Sequence, residues 1–392
     1  MPTEERMTVT ERRKYLQLRK PRYQKASRSE QSALLTEMEQ VTGLHRKSLL
    51  RLLHAPTLER KKRSRGRGRS YGLATEQVIL VVWESLDYVC AERLTPVLLS
   101  TAQHLARFGA LYLSQQVEEQ LAHISEATVT RLLRQHRSRK QRLPQKGPER
   151  ANQVRKPVPM QRIPWDTSEP GHCEVDLVQH SGESSDGLYA FTLQLVDVAT
   201  GWSERVAILG KGQQAMEAGF RTILKRVPFA VKELHPDNGS EFFNNHLVRF
   251  WGEAITGLTL SRSRPYQKND NRFVEQKNDT LVRQYFGTIR LATPEQVQAM
   301  SVLYDKMWLY YNFFQPVLHL QEKVFQGEKV LRRWDQACTP YQRLVATGTL
   351  GNEQMARLQA LYEQTNPMAL RKEIYRLLAA LWELPVATTA VA

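Results

Sequence analysis

Apolar and polar residues alternate in three consecutive stretches: HCEVDLVQH at 172–180, YAFTLQLVDVA at 189–199 and GWSERVAIL at 201–209. A period of two predicts three strands, joined by tight turns at Gly182 to Gly187 and at Thr200-Gly201. A helical period then takes over at 213–226. It is followed by a strand at VKELH (231–235), a helix at NNHLVRFWGEA (244–254), a short strand at LTLSRS (258–263) and a helix over 270–286.

Both flanks of this α/β segment read as helical. In ALLTEMEQVTGLHRKSLLRLL at 33–53, Leu34, Leu35, Met38 and Val41 share one face and Gly43 breaks the helix. Leu49, Leu50, Leu52 and Leu53 form a second apolar stripe behind His45, Arg46, Lys47 and Arg51. Helix, glycine turn and basic helix match the helix-turn-helix plan, in which the second helix reads the major groove. The plainer reading is a helical hairpin with solvated charges. Residues 74–136 carry further helical spacing, with Ser125 as a cap and Thr128, Thr130, Arg131 and Arg134 outward, again either helix-turn-helix or a structural bundle. After 320 the chain reads as helical, with Asn366-Pro367 starting a helix whose stripe, Leu370, Ile374, Leu377, Leu378 and Leu381, is free to join subunits.

Charge sharpens this picture. The net charge is +16, and residues 1–70 hold 19 Lys and Arg against 7 Asp and Glu. Such an excess points to a polyanion, because basic side chains that neutralise phosphates release condensed counterions. ERKKRSRGRGRS at 59–70 is glycine-broken and cannot pack a core, and its Arg65, Arg67 and Arg69 suit an arm laid along DNA. Residues 137–166 are basic and Pro-rich, as a linker would be. The longest apolar run, VILVVW at 78–83, is far too short to span a bilayer. The three cysteines, Cys90, Cys173 and Cys338, lack paired spacing, which argues against a disulfide scaffold.

Candidate chemistry centres on three carboxylates. Asp176 lies within the first strand, Asp237 follows the fourth in HPDNGSEF, and Glu275 comes 38 positions later in RFVEQKN. Taken singly, Asp-Asn-Gly is a turn signal and a helix glutamate is ordinarily solvated. An Asp inside a strand is disfavoured and calls for a reason. Two strand acids and one helix acid would hold hard divalent cations that stabilise both oxygens of a phosphoryl transfer. Nearby, Asp197 reads as a turn cap, Glu174 and Glu241 as solvated or supporting acids, and His235 as an orienting group or plain structure.

HCEVDLV, PDNGSEF and KNDNRFVEQKN together resemble the motifs of the Asp-Asp-Glu integrase and insertion-sequence transposase superfamily, over roughly residues 167–320. The resemblance implies an α/β ribonuclease H-like catalytic domain, a mixed five-stranded sheet with helices in which strands one and four lie side by side. An all-α helix-turn-helix DNA-binding region would precede it and a helical segment would follow. The implied layout is a basic helix-turn-helix region with arm (1–73), a second helical domain (74–136), the linker (137–166), the core (167–320) and a helical C-terminal region (321–392).

By the same resemblance Asp176, Asp237 and Glu275 are the catalytic and metal-binding acids, using two Mg²⁺ or Mn²⁺ ions. Lys268, Arg272, Lys277 and Arg283 would surround the glutamate helix, with Lys277 the foremost candidate to grip a DNA end and Lys268 beside it. Asp197 is a remote candidate ligand. The aromatic block MWLYYNFFQP at 307–316 resembles the end of the last core helix and reads as core packing before base stacking. The implied activity is insertion-sequence transposition, in which element ends are cleaved and joined to target DNA. A retroelement-type integrase and a catalytically silent DNA-binding regulator are the alternatives. Expected partners are duplex DNA and further copies of the chain, with no membrane, in a bacterial cytoplasm at the nucleoid.

Overall fold

The computed structural model describes residues 7–58, 70–136, 167–236, 242, 244–263, 270–326 and 329–385. Two compact units emerge, Met1–Ser70 and Tyr71–Ala392.

The first unit is built from α1 (Val9–Lys25), α2 (Arg28–Thr42) and α3 (Arg46–His54). Capping boxes start α1 at Thr8 with Glu11 and α2 at Ser27 with Glu30. Gly43 ends α2 at φ 65°, a left-handed position that glycine occupies without strain. Leu16, Tyr23, Leu34, Leu35, Met38, Leu49 and Leu53 form its core. Val41, expected on that face, is 44% exposed, and of the second stripe only Leu49 and Leu53 are buried.

The second unit begins with α4 (Leu73–Ser85), α5 (Ala91–Leu94), α6 (Leu98–Arg107), α7 (Gln115–His123) and α8 (Glu126–Arg134), the last capped by Ser125 as expected. Strands β1 (His172–Gln179), β2 (Ala190–Asp197) and β3 (Ser203–Leu209) follow, then α9 (Gln213–Arg226), β4 (Glu233–Pro236), α10 (Asn245–Ala254) and β5 (Thr259–Leu260). The sheet order is β3-β2-β1-β4-β5, with β1 antiparallel to β2 and parallel to β4. Strands one and four therefore lie side by side. One run of helix comprises α11 (Arg272–Lys277), a π-helical turn at Asn278–Arg283 and α12 (Gln284–Phe286), and it leads to α13 (Pro294–Phe313).

Alternation assigns the two faces of the sheet. Cys173, Val175, Leu193, Leu195 and Ile208 pack with α9 and α10, whereas Val178, Ala190 and Ala207 pack with the 278–286 turns and α13. The aromatic block of α13 is core, as expected. Asn312 pairs its amide with both backbone groups of Ser203, at 2.9 Å each, and Tyr310 donates to the Ser85 carbonyl at 2.6 Å.

Two expectations are corrected. Helices α4–α8 do not stand apart as a domain: their core is continuous with Trp202, Phe313 and Phe314, and with Tyr341 and Leu344 of α14 (Pro340–Ala346). The C-terminal region is not helical throughout, since it opens with a ribbon of β6 (Leu320–Gln326) and β7 (Lys329–Trp334). After it come α14, α15 (Asn352–Gln364) and α16 (Pro367–Trp382). The α16 stripe is also spoken for: Leu370, Ile374, Leu378 and Leu381 are buried in the core shared with α13. Each contributes about 1.5–3 kcal/mol, against about 1 kcal/mol for the Asn366 cap. Docking within the chain, not assembly, uses that face.

His180 is fully buried between Thr192, 2.7 Å from its Nε2, and the Phe286 ring. Burial and the nearby Arg283 push its pKa down to about 3, and burial also lowers His104. The unfolded chain takes up these protons near pH 6.5 and the folded chain refuses them, so stability is full above that pH and is lost as pH falls below it. Thermal melts between pH 7 and 5 should show a falling Tm. His180→Gln should flatten the stability slope by up to about 1.4 kcal/mol per pH unit; an unchanged slope would remove His180 from this role.

Candidate active site

The site is assembled on β1. Cys173 and Val175 turn into the core below, so Glu174 and Asp176 face the helix run above. Glu174 is 1% exposed, and its Oε2 accepts the N–H groups of Phe273 and Val274 at 2.7 and 2.9 Å. These are first-turn donors of α11, which have no partner within the helix. Burial pushes the Glu174 pKa up to about 8, opposed by the two N–H groups and by Arg272. The sequence reading of a solvated or supporting acid is corrected here to a buried clamp.

Asp176 is half-buried. Its Oδ1 accepts from Leu177 N–H at 2.8 Å and its Oδ2 from Asn278 Nδ2 at 2.5 Å. Glu275 is exposed on α11, one turn before Asn278. Side chains three apart on a helix have Cβ atoms about 5–6 Å apart, so the residue that touches Asp176 is a neighbour of Glu275. In the parallel pairing of β1 with β4, Val175 lies opposite Pro236. These are the residues that precede Asp176 and Asp237 in sequence.

Asp237 itself lies outside the described residues, as do Glu241, Lys268, Arg65, Arg67 and Arg69. Among the described residues no group of three His, Cys, Asp or Glu side chains is poised to hold a metal. Asp176 and Glu275 supply the hard carboxylate oxygens that Mg²⁺ and Mn²⁺ prefer.

Behind Asp176 a polar row crosses the sheet, with Gln194 opposite Asp176 and Arg205 opposite Gln194. Both are buried. The Gln194 amide has no hydrogen-bond partner among the described residues, and Arg205 donates to Ser203 Oγ at 2.8 Å beneath the Tyr311 ring. Lys277 is half-buried beside this row, and burial, Arg93 and Arg205 push its pKa down to about 7. It is the residue expected to grip a DNA end, and it lies on α11 two positions after Glu275. Arg283 is engaged, donating to the Gln179 and Gly287 carbonyls.

No protein-family model matches the chain. The uncharacterized protein y4rM of Sinorhizobium fredii is 35% identical over 323 residues, which cover 82% of this chain and 91% of the relative. The chain belongs to the y4rM family. Among solved structures, the catalytic core domain of BIV integrase aligns with 45% of this chain and 96% of its own, at 15% identity and a TM-score of 0.28. An intasome of simian T-cell lymphotropic virus aligns with 56% of this chain and 72% of its own, at 13% identity and a TM-score of 0.31. Scores this low assign neither fold nor activity to a y4rM-family protein.

The remaining candidates of this y4rM-family chain separate by what they touch. His45, Lys47 and Arg51 are exposed on or beside α3, whereas Arg46 folds back onto Ser32 and Thr36 of α2. Arg131 and Arg134 are exposed on α8, and Thr128 is tied to Ser125. His235 is structural: its Nδ1 is 2.6 Å from Ser261 Oγ, and Ser261 donates to Glu233, which pairs with His172. Asn278, Gln194 and Arg205 went unnoticed in the sequence. The shared parity of Asp176 and Gln194 on their strands was the available signal for one, and the spacing of three from Glu275 for another.

Asp197 caps its turn as expected, accepting from Thr200 N and Oγ at 2.8 and 2.6 Å and from Gly171 N at 2.7 Å. Gly171 sits at φ 114°, and a Cβ there would meet the Ala230 carbonyl at 2.4 Å. Asp197→Asn turns an NH₂ group toward one set of donors, so denaturant melts should show a loss of about 1–3 kcal/mol. A neutral substitution would mean that these three hydrogen bonds contribute little.

Proposed function

We propose that this chain is a DNA transposase of insertion-sequence type, which binds element ends and catalyses divalent-metal-dependent cleavage and strand transfer. The observation that carries the reading is the pairing of β1 with both β4 and α11. Asp176 is hydrogen-bonded to Asn278, one turn from Glu275, and β4 ends at Pro236, immediately before Asp237 in the chain. The full motif order Asp-Asp-Glu and the +16 charge support the same reading.

Asp176, Asp237 and Glu275 would hold two Mg²⁺ or Mn²⁺ ions, which when bound neutralise charge on the attacking and leaving oxygens of an in-line displacement. The chain's own part is positional. Glu174 seats the start of α11, so Glu275 is carried at a fixed height above β1. Leu177 N–H and Asn278 Nδ2 each hold one oxygen of Asp176, which fixes its plane. Such outer partners orient ligands and commonly matter about 10- to 100-fold. The nucleophiles are water and then a 3′-hydroxyl, so no covalent protein intermediate is required. Exposed His45, Lys47, Arg51, Arg131 and Arg134 are the proposed DNA contacts. Because two ends are processed together, the working species would contain at least two copies of the chain. No described helix is long and apolar enough to cross a membrane.

Asp176→Asn, Asp237→Asn and Glu275→Gln should each abolish cleavage and joining of duplexes that carry the DNA ends flanking the gene. Binding of the same duplexes should remain. Mg²⁺ or Mn²⁺ should support the reaction, and Ca²⁺, with longer and more flexible coordination, should support binding without it. Any one variant cutting at the wild-type rate removes that acid from the site. A wild-type chain that binds but never cuts in Mg²⁺ makes the protein a regulator.

Asn278→Ala tests the positioning. Strand cleavage should fall about 10- to 100-fold, with partial recovery at raised Mn²⁺. Cleavage at the wild-type rate would separate the Asn278 hydrogen bond from the chemistry.

A further inference from the structure

We infer that the β6–β7 ribbon is a DNA-gripping arm that holds duplex phosphates beside the acid site. The inference rests on the proposed action on DNA and adds a binding surface that no motif marked. The ribbon is a two-stranded sheet with Lys323 opposite Arg332 and Glu322 opposite Arg333. A lone two-stranded hairpin is marginally stable in water, so a segment of this kind calls for a partner.

Its root is tied to α14 and lies near α11. Asp335 Oδ1 accepts from His319 N–H at 2.8 Å, Arg343 pairs with Asp335, and Arg343 also donates to the Val317 carbonyl at 2.8 Å. The His319 ring lies 6.4 Å from Phe273, two residues before Glu275 on α11. The arm thus springs from beside the helix that carries the third acid.

Its chemistry suits a polyanion. From 320 to 334 the sequence places Lys323, Lys329, Arg332 and Arg333 against Glu322 and Glu328. Arg332 and Arg333 are exposed, and Leu331 and Trp334 are each 47% exposed. Arg333 meets Glu322 at 2.9 Å, but a pair that open to solvent is worth little and yields readily to phosphate. A two-stranded ribbon fits the major groove, and Trp334 offers a face on which a base can stack. The excess of Lys and Arg over Glu on the ribbon complements a row of phosphates, so duplex DNA is the favoured occupant.

The test uses the full chain, a fluorescein-labelled random-sequence duplex and Ca²⁺, with affinity read by anisotropy across a salt series. R332E/R333E should weaken binding several-fold and reduce the slope of log Kobs against log salt by about 2, at roughly 0.9 for each phosphate that is no longer neutralised. R357E, on the exposed face of α15, should bind as wild type does. If the double reversal lowers the melting temperature, R332Q/R333Q is read in its place. Wild-type affinity and slope in the ribbon variant would overturn the inference. So would unchanged DNA binding with altered self-association in sedimentation, which would assign the ribbon to a second copy. A wild-type chain that binds no duplex at all would overturn the functional reading itself, and the ribbon's role with it.

Discussion

Carrying a carboxylate into the layer between a sheet and a helix costs several kcal/mol unless hydrogen bonds replace the lost water. Glu174 is met there by two backbone N–H groups at the start of α11, donors that would themselves be orphaned in that buried position. Each side satisfies the other, and the dipole of the helix run favours an acceptor at its N-terminus. The height and rotation of α11 over β1 follow from this contact, and so does the place of Glu275. Without Glu174, the start of α11 would be released from two backbone ties to the strand that carries Asp176.

The π-helical turn that follows continues the same logic. It begins at Asn278, the residue that donates to Asp176, and ends at Arg283, which is tied to the Gln179 carbonyl at the end of β1. Helix and strand are therefore joined at three levels: Glu174, Asp176 and Gln179. π-Helical turns are rare and frequently mark functional sites. Here the turn lets one helix run bond a strand along its whole length while Leu281 and Val282 still reach the core.

Below the acids, Gln194 and Arg205 extend a polar row into a region that elsewhere is apolar. Buried polar atoms without a hydrogen bond cost stability, and the Gln194 amide and the Nε and Nη1 of Arg205 are such atoms among the described residues. Helix α13 closes that row from above and bonds β3 through Asn312, while its aromatic end joins the core of α4–α8. Through this strut the helices before the sheet and those after it share one framework, in which each element is braced by the others.

The resemblance to the Asp-Asp-Glu superfamily supplied the neighbouring strands one and four and the three acids as a set, and the local pattern of the chain was enough to mark the five strands, the helices between them, the caps at Ser125 and Asn366 and the turn at Asp197. Each of these depends on residues close in sequence: alternation, helical period, a side chain that bonds its own turn. Only the tertiary structure decided what covers each apolar face and what meets each buried charge. The stripe at 370–381 announced that it would be buried but not that α13 would bury it, and helical spacing at 74–136 did not reveal a core shared with Trp202 and Phe314. Glu174 looked like a solvated or supporting acid because its partners lie about a hundred residues away, and a hydrogen bond between distant segments leaves no periodic trace. The ribbon at 320–334 was missed for a related reason: two short strands that pair only with each other, on a mixed polar background, carry too weak an alternation to stand out from a helix.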